Sequence, residues 1–284
     1  ALVNYLSAIG YPKVDSETFK KFWPADFHIV GKDILRFHGV YWPAFLMAAD
    51  LPLPKQLIAH GWWTVEKEKM SKSLGNVVDP NDVIDEFGLD QFRYFLLREV
   101  PFGNDGDFSK DSLINRINSD LANNFGNLIN RVSSMILKNF GGSIPKYFDL
   151  TDSDKFLQDK IKVLVADYVN QFSSTEFSKG LSSIIEIVSL VNKYIDSEEP
   201  WNLAKTKQVD RLSTVLRLSL ESIRIASFLI SPVCPLSASK ILGSIGVQDD
   251  FISLEPENIT NFTFLNEDLM IEKIDLLFPK IDKK

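Results

Sequence analysis

A loop rich in lysine and serine carries the clearest chemical signal of the chain. It reads Lys-Met-Ser-Lys-Ser-Leu-Gly-Asn over residues 69–76 and follows an apolar run. The ammonium groups of Lys69 and Lys72 are three positions apart and can both reach one polyphosphate, because lysine is a compact and mobile donor. The hydroxyls of Ser71 and Ser73 add neutral donors to the same anion. The spacing therefore predicts a polyphosphate-binding loop, although a Lys-x-x-Lys pattern without these neighbours would indicate only a solvated basic loop.

Two short apolar runs end in glycine or polar residues, at the strand ends where parallel sheets bind ligands. The first is Phe-His-Ile-Val at 27–30, followed by Gly31, which permits close approach to the backbone. The carboxylate of Asp33 can accept hydrogen bonds from both hydroxyls of a ribose, and it can equally serve as the N-cap of a helix starting at the next residue. The second run ends at His60 and Gly61. Both read as buried strands whose carboxyl ends would meet at one edge of a parallel sheet.

The bulk composition is that of an ordinary soluble protein. The chain has 284 residues, 45% of them apolar and 24% charged, which is enough for two domains with separate cores. Its net charge of −7 argues against non-specific coating of nucleic acid but leaves specific RNA recognition possible. No apolar run predicts a membrane span, and the single cysteine, Cys234, excludes an intrachain disulfide and fits a reducing, cytoplasmic setting.

The pattern of apolar and polar residues changes near residue 108. The first part alternates strand and helix patterns, whereas the second part is helical throughout, with Ser109 as a helix N-cap and Gly141 as a helix stop. Further helices are predicted near residues 153–173, 176–197 and 207–230, and after Pro235. The predicted fold class is thus α/β followed by an all-α bundle. Near the end of the chain, Leu276, Leu277 and Phe278 are expected to dock on the rest.

These motifs resemble those of one family. The loop at 69–76 resembles the KMSKS signature of the class I aminoacyl-tRNA synthetases, and the flanking residues are similar to those of the methionyl-tRNA synthetases. The resemblance implies the C-terminal half of a Rossmann-type catalytic domain at 1–65, a connective subdomain with the signature loop at 66–108, and a helical anticodon-binding domain with a C-terminal tail at 109–284. Because the chain begins Ala-Leu-Val without an initiating Met, it is expected to be part of a larger product.

The resemblance assigns methionine binding to residues on both sides of the first strand. They are Ala1, Leu2, Tyr5, Phe37, His38 and Trp42. A thioether favours an apolar, polarizable pocket with aromatic edges, and Tyr5 and His38 would be the polar groups near the sulfur. Without the resemblance, Tyr5 reads as a packing residue and His38 as a satisfied core histidine. His28 is interpreted as a structural residue of its strand.

The resemblance also implies the ATP and catalytic residues. The expected ATP contacts are Gly31, Asp33, His60, Gly61, Trp63 and Lys72. Backbone groups near Trp63 would read the adenine edge. Lys72 would stabilise the pentavalent α-phosphate, with Lys69 as the next catalytic candidate and Ser71 and Ser73 in support. Magnesium is expected with ATP, and no residue of the chain is predicted to ligate a metal.

Three residues of the helical part are candidates for reading an anticodon. Asn127 and Arg131 are four positions apart and share one helix face, where an amide and a guanidinium could bond and stack on a base. Pro200 fixes a helix start and would present Trp201 as a stacking platform. Read without the resemblance, the Asn/Arg pair indicates a solvated face, and Trp201 could equally pack into the junction. The resemblance assigns Asn127, Arg131 and Trp201 to the CAU anticodon.

The implied activity is that of a methionine–tRNA ligase, whose partners are ATP, methionine and the anticodon and acceptor stem of tRNA(Met). Two alternatives stay open from the residues. Another class I synthetase, for leucine, valine, isoleucine or cysteine, would share the signature loop and the Gly-Lys-Asp run. A non-catalytic tRNA-binding module would fit the chain by itself, because class I synthetases also need two histidines within four residues at a helix start. The three histidines here, His28, His38 and His60, are too far apart to form that element. The family's zinc-binding cysteines are absent as well.

We therefore predict that residues 1–284 alone do not form methionyl-adenylate, because the histidine element belongs to a missing N-terminal half of the catalytic domain. The measurement is methionine-dependent exchange of pyrophosphate into ATP by the purified chain. Exchange above the level of a no-enzyme blank would contradict the prediction.

Overall fold

The computed structural model describes residues 1–65, 67–71, 75–247, 256–274 and 277–282. The chain forms two compact units, one of Ala1–Lys69 with Phe102–Asp107 and one of Met70–Pro101 with Phe108–Lys284. The predicted division into three domains, at 1–65, 66–108 and 109–284, stays a prediction. Across the described ranges, no helix has both the length and the apolar character that crossing a bilayer would need.

A pair of parallel strands lies in the first unit. β1 (Phe27–Gly31) pairs with β2 (Gln56–His60), and their register sets Gly31 opposite His60. Both strands lie where the apolar runs predicted them. The expectation that they are fully buried is wrong for one face of β1: Ile29 is 63% exposed, while its two neighbours along the strand are buried. Alternation of side chains across a strand gives each strand two faces, and only one of them meets the core of this unit.

Helical segments surround a small aromatic core in the first unit. They are α1 (Asn4–Ser7), α2 (Glu17–Phe22), a 3-10 turn (Lys32–Ile34), a π-helical turn (Phe37–Tyr41) and α3 (Trp42–Ala48). The core side chains are Leu6, Phe19, Trp23, Trp42 and Leu46. Ser16 caps α2 by accepting a hydrogen bond from the Phe19 N–H at 3.2 Å. Asp33 lies inside the 3-10 turn and caps no helix, so the N-cap interpretation of this residue is wrong.

A second, three-stranded sheet contains the start of the lysine-serine loop. Its strands are β3 (Trp63–Val65), β4 (Glu68–Lys69) and β5 (Gly106–Phe108), in the order β4-β3-β5. The β3–β4 pair is antiparallel, with Thr64 opposite Lys69. Asp107 closes the intervening turn, since its carboxylate accepts hydrogen bonds at 2.7 Å from the Thr64 hydroxyl and from the Lys67 N–H. Lys69 is therefore held on an edge strand with defined backbone geometry.

Helices dominate the second unit. They are α4 (Pro80–Phe87), α5 (Leu89–Arg98), α6 (Lys110–Arg116), a π-helical stretch (Ile117–Gly126), α7 (Asn127–Phe140), α8 (Asp152–Ser173), α9 (Phe177–Glu198), α10 (Pro200–Lys205), α11 (Val209–Ile230), α12 (Pro235–Ser244) and α13 (Pro256–Ile259). The predicted helices agree closely with α8, α9, α11 and α12. The predicted cap and stop are also confirmed: Ser109 accepts from the Ser112 N–H, and Gly141 ends α7 at a φ of 62°.

Apolar residues at helical spacing between 113 and 136 form one buried face. Leu121, Phe125, Leu128, Val132 and Ile136 belong to the main core, Met135 is partly buried against it, and Leu113 and Ile117 are buried as well. The π-helical stretch in the middle was not anticipated. Phe278 is 1% exposed, so the predicted docking of the tail is confirmed for this residue, whereas Leu276 lies outside the described residues.

Asp154 ties three helices of the second unit together. It forms a capping box with Thr151 at the start of α8 and accepts a hydrogen bond from the Tyr194 hydroxyl of α9 at 2.5 Å. Arg211 of α11 binds both of its carboxylate oxygens. These hydrogen bonds outweigh burial and hold the pKa of Asp154 below its usual range. One carboxylate thereby sets the relative positions of α8, α9 and α11.

A buried charged triad occupies the middle of α11. Glu221 is fully buried and binds Arg224 at 2.7 Å through one oxygen and Arg217 at 3.1 Å through the other. Several guanidinium donors also reach backbone carbonyls of other segments: Arg217 binds Pro145 and Leu265, and Arg224 binds Ile259 and Asn261. The triad thus fastens irregular segments to the central helix, because buried charges require partners for their donors.

We predict that Glu221→Gln lowers the free energy of unfolding of the helical unit by about 3–5 kcal/mol, because it leaves two buried guanidinium groups without a counter-charge. Urea unfolding followed by circular dichroism at 222 nm measures the change. Glu186→Ala, at an exposed position of α9, is the control and should change stability by less than about 0.5 kcal/mol. Equal effects of the two substitutions would contradict the assigned role of the triad.

Candidate functional site

Three of the residues expected to bind methionine lie together in the first unit. The Tyr5 hydroxyl and His38 Nε2 are 2.9 Å apart, and the Tyr5 and Trp42 rings are separated by 6.0 Å. His38 Nδ1 lies 3.0 Å from the Ile34 carbonyl. Because a carbonyl can only accept, Nδ1 carries the proton, and in the neutral ring Nε2 accepts the hydrogen bond from Tyr5. The local fold therefore fixes both the orientation and the tautomer of His38.

The other expected methionine residues are not part of this cluster. Phe37 is 50% exposed and packs its ring 5.6 Å from that of Tyr41. Ala1 is exposed and Leu2 packs at the edge of the small aromatic core. A cavity of about 190 Å³ borders Tyr5, but His28 and Trp23 are among its other lining residues, and Phe37, His38 and Trp42 are not. The structure thus groups Tyr5, His38 and Trp42, places Leu2 at the edge of the core that contains Trp42, and leaves Ala1 and Phe37 apart.

His28 has closer contacts with this cluster than the sequence suggested. Its ring lies 4.7 Å from the Tyr5 ring, 6.0 Å from that of His38 and 6.1 Å from that of Trp23. The side chain is 7% exposed. Burial, with a smaller contribution from the nearby His38, lowers the pKa of His28 below its ordinary value. The interpretation of His28 as a structural strand residue agrees with this burial.

The candidate nucleotide residues lie at the carboxyl ends of β1 and β2. Gly31 and His60 are register partners there, and a side chain at Gly31 would meet the Asp33 carboxylate at 2.5 Å. Asp33 Oδ1 is 3.5 Å from the Trp62 Nε1, a distance at the limit of a hydrogen bond. Gly61 passes so close to the Asn104 backbone that no side chain could fit. The structure therefore brings Gly31, Asp33, His60 and Gly61 to one edge.

Three residues that the sequence did not single out as site residues join this edge. Lys32 Nζ lies 2.6 Å from Asp105 Oδ2, and the other Asp105 oxygen accepts from the Trp62 N–H at 2.8 Å. These two hydrogen bonds, that from Lys32 first, hold the pKa of Asp105 below its usual range. Lys32 and Lys69 place their ammonium groups 4.4 and 4.6 Å from the centre of the Trp62 ring. The signal for Lys32 was its position between Gly31 and Asp33, whereas nothing in the sequence linked it to Asp105.

The lysine-serine loop is only partly within the described residues. Lys69 belongs to the first unit. Ser71 is partly buried, and its N–H donates to the side-chain oxygen of Asn76 at 2.8 Å. Lys72 and Ser73, expected to be catalytic, lie outside the described residues. Trp63, the expected neighbour of the adenine, starts β3 and is partly buried.

The candidate anticodon residues lie at the helical unit's surface. The Arg131 guanidinium is 5.9 Å from the Trp201 ring centre and binds Asp196 at 2.6 Å and Asn192 at 3.4 Å. Trp201, in the first turn of α10, is 47% exposed. Asn127 is exposed one turn before Arg131 on α7. Arg131, which is partly exposed, and Trp201, 70 positions further along the chain, thus form one cation–aromatic surface.

In the part of the chain that the structure describes, no three histidine, cysteine, aspartate or glutamate side chains are grouped so that they could hold a metal ion. Cys234 is buried, and burial raises the pKa of its thiol. The magnesium expected with ATP stays a prediction.

Comparison with known proteins identifies the family. The family model described as tRNA synthetases class I (M) matches residues 1–133, and the model described as the anticodon binding domain of methionyl tRNA ligase matches residues 144–284. The chain belongs to the methionyl-tRNA synthetase family. The predicted resemblance and the predicted fold class, part of a class I catalytic domain followed by a helical anticodon-binding domain, are confirmed. The assignment to a sister synthetase is not favoured, because the anticodon model is the methionyl one.

Relatives within the methionyl-tRNA synthetase family match over almost the whole chain. A methionine–tRNA ligase from Caldanaerobacter subterraneus is 47% identical over 99% of this chain and 44% of its own length, and that of Bacillus subtilis is 45% identical over 99% and 42%. A solved structure, that of Mycobacterium tuberculosis methionyl-tRNA synthetase in complex with methionyl-adenylate, is similar at a TM-score of 0.89 and 41% identity. It is matched over 98% of this chain and 54% of that protein. The chain spans about half the length of these relatives.

We predict that acid destabilises the first unit through His28. Because the pKa of His28 is lowered in the folded state, the unfolded state takes up a proton near pH 6.5 that the folded state does not. The contribution of neutral His28 to stability is therefore complete above about pH 6.5, and it declines as the pH falls toward the pKa of His28 in the folded state. Urea midpoints between pH 7.5 and 5.5, followed by tryptophan fluorescence, test this, since four of the five tryptophans belong to the first unit.

His28→Asn should flatten the pH dependence of these midpoints, whatever it does to stability at pH 7.5. His60→Asn replaces an exposed histidine of the same unit and should leave the pH dependence in place. A His28→Asn variant with the full original pH dependence would contradict the prediction.

Proposed function

We propose that this chain supplies the anticodon reader and part of the methionine and ATP site of an enzyme that charges tRNA with methionine. In the first step, methionine attacks the α-phosphate of ATP, giving methionyl-adenylate and releasing pyrophosphate. In the second, the terminal ribose of the tRNA takes the methionyl group from the adenylate and AMP leaves. The observation that carries this proposal is the Arg131–Trp201 pair at the surface of the helical unit, with Trp201 in the region that matches the methionyl anticodon domain.

Methionine binds beside Tyr5, His38 and Trp42 in this proposal, with Ala1, Leu2 and Phe37 completing the pocket. Two hydrogen bonds support this arrangement. The Ile34 carbonyl orients the His38 ring, and His38 in turn orients the Tyr5 hydroxyl. Aromatic edges and a positioned hydroxyl suit a thioether better than a branched aliphatic side chain, because sulfur is polarizable and accepts weak hydrogen bonds.

ATP binds along the carboxyl edge of β1 and β2. Asp33 accepts the ribose hydroxyls, Gly31, His60 and Gly61 contact the nucleotide, and backbone groups near Trp63 read the adenine. Lys72 and Lys69 stabilise charge on the phosphates, with Ser71 and Ser73 as neutral donors and Mg²⁺ accompanying the ATP. The support is the grouping of Gly31, Asp33 and His60 at one edge, the position where parallel sheets bind ligands.

The anticodon CAU of tRNA(Met) binds at Asn127, Arg131 and Trp201. An exposed indole offers its face to an unpaired base, and the guanidinium beside it can bond a base edge or stack on its plane. Asp196 and Asn192 support this role because they hold Arg131 in place, so less side-chain freedom is lost when RNA binds.

The remaining partners are the tRNA acceptor stem and a preceding half of the catalytic domain, and the reaction takes place in the cytoplasm. The support for a further catalytic half is the apolar surface of the first unit, where Ile29, Phe45 and Met47 are 63%, 55% and 70% exposed. Exposed apolar area of this kind usually marks a surface that another segment covers.

We predict that the chain binds a fluorescent anticodon stem-loop carrying CAU more tightly than one with a single changed anticodon base. Trp201→Ala should weaken CAU binding by about tenfold or more and remove the preference, since one stacked base contributes about 1–3 kcal/mol. Fluorescence anisotropy at fixed salt measures both affinities.

The matched control is Phe156→Ala, which removes another exposed aromatic side chain of the helical unit, 61% exposed on α8. It should leave both affinities unchanged. Equal binding of the two RNAs by the original chain, with helix content intact, would overturn the methionine assignment.

A further inference from the structure

Lys32 lies at the carboxyl edge of β1 and β2, between Gly31 and Asp33, which are proposed to bind the nucleotide. It directly follows Gly31 at the carboxyl end of β1 and begins the 3-10 turn that contains Asp33. Its side chain is 38% exposed, so an anion in solvent can reach the ammonium group.

The Trp62 ring contacts two ammonium groups, that of Lys32 and that of the signature-loop lysine Lys69. Both ammonium groups lie within 4.6 Å of the ring centre, at 4.4 Å for Lys32 and 4.6 Å for Lys69. A cation near an aromatic ring is attracted by the negative face of the ring, so the indole can hold both groups without neutralising either. Two cations around one ring suit an anion that carries several charges.

Asp105 forms an ion pair with the ammonium group of Lys32 in the described structure. One of its oxygens binds Lys32 at 2.6 Å and the other accepts the Trp62 N–H at 2.8 Å. The Asp105 side chain is 47% exposed, and an ion pair this exposed contributes little net stability. Lys32 can therefore leave Asp105 at small cost if a more highly charged anion is available, while the Trp62 N–H keeps the carboxylate in place.

We propose that Asp105 is an internal counter-ion for Lys32, and that Lys32 exchanges it for the polyphosphate of the bound nucleotide. This inference rests on the proposed function and adds two residues to it, Lys32 as a phosphate ligand and Asp105 as the group that holds Lys32 ready. A triphosphate competes well with one carboxylate because it presents several charges to Lys32 and Lys69 together.

The same unit contains a matched ion pair at the opposite ends of the strands. Lys55 binds Asp26 at 2.6 Å, the same distance, just before β2 and β1 begin. Its side chains are 63% and 71% exposed, and it is not part of the carboxyl-edge cluster. Substitutions in this pair change the charge of the chain equally but leave the Trp62 surroundings untouched.

Titration calorimetry of the 284-residue chain with inorganic triphosphate, at fixed ionic strength, tests the exchange. Lys32→Met should weaken binding by about tenfold, the effect of losing one charge-assisted hydrogen bond, and Lys32→Arg should keep most of the affinity. Asp105→Asn should tighten binding by about threefold, because the amide oxygen still accepts the Trp62 N–H but no longer competes for Lys32.

The controls Lys55→Met and Asp26→Asn should change the affinity by less than about twofold. In a Lys32→Met background, Asp105→Asn should lose most of its effect. A purely structural role of Asp105 predicts the opposite sign, weaker binding on Asp105→Asn, and that result would overturn the proposal. Unchanged binding by Lys32→Met with near-native circular dichroism would overturn it as well.

The failure of this inference can be told apart from the failure of the proposed function. If the original chain binds triphosphate and Lys32→Met binds equally well, only the exchange is rejected. If the original chain does not bind triphosphate, the exchange and the proposed phosphate site on this chain are both rejected, while the anticodon stem-loop measurement still decides the RNA-binding part.

Discussion

The helical unit depends on a charge problem at its centre. α11 is buried along most of its length, yet Arg217, Glu221 and Arg224 lie on it without access to water. Isolated charges there would be prohibitively costly, so Glu221 pairs with both arginines. Other guanidinium donors of Arg217 and Arg224 reach carbonyls at Pro145, Leu265 and Ile259. The same buried helix packs against α7, α9 and α10. The need to compensate these buried charges therefore determines where the irregular segments pack on the bundle.

The anticodon surface follows from this packing. Arg131 is on α7, its partners Asn192 and Asp196 are on α9, and Trp201 is on α10, so the surface exists only when three helices meet correctly. Asp154 adds a second fixed point by joining α8 and α9 to Arg211 of α11. Residues that touch no RNA in the proposal thus determine whether the residues that would touch it are in place.

The first unit uses a different constraint, the common edge of two parallel strands. Because β1 and β2 run in the same direction, their carboxyl ends and the residues that follow them converge. Gly31 ends one strand and is followed by Lys32 and Asp33, and Gly61 and Trp62 follow the other strand. Asp105, which is distant in the chain, binds both Lys32 and the Trp62 N–H. One carboxylate therefore links the segments that follow the two strands. The polar residues there belong to a common electrostatic arrangement rather than to separate motifs.

Local features of the chain were determined by the sequence alone. The helix periodicity, the cap at Ser109, the stop at Gly141 and the two strands follow from neighbouring residues, and the lysine-serine loop was sufficient to indicate the family. Pairings across long separations were decided by tertiary structure: Lys32 with Asp105, Arg131 with Trp201 and the burial of His28 beside Tyr5. The spacing of residues encodes periodicity and local hydrogen bonds, whereas the meeting of distant side chains depends on how whole elements pack. For the same reason the exposed face of β1 could not be read from its apolar residues, because exposure depends on what else covers a strand.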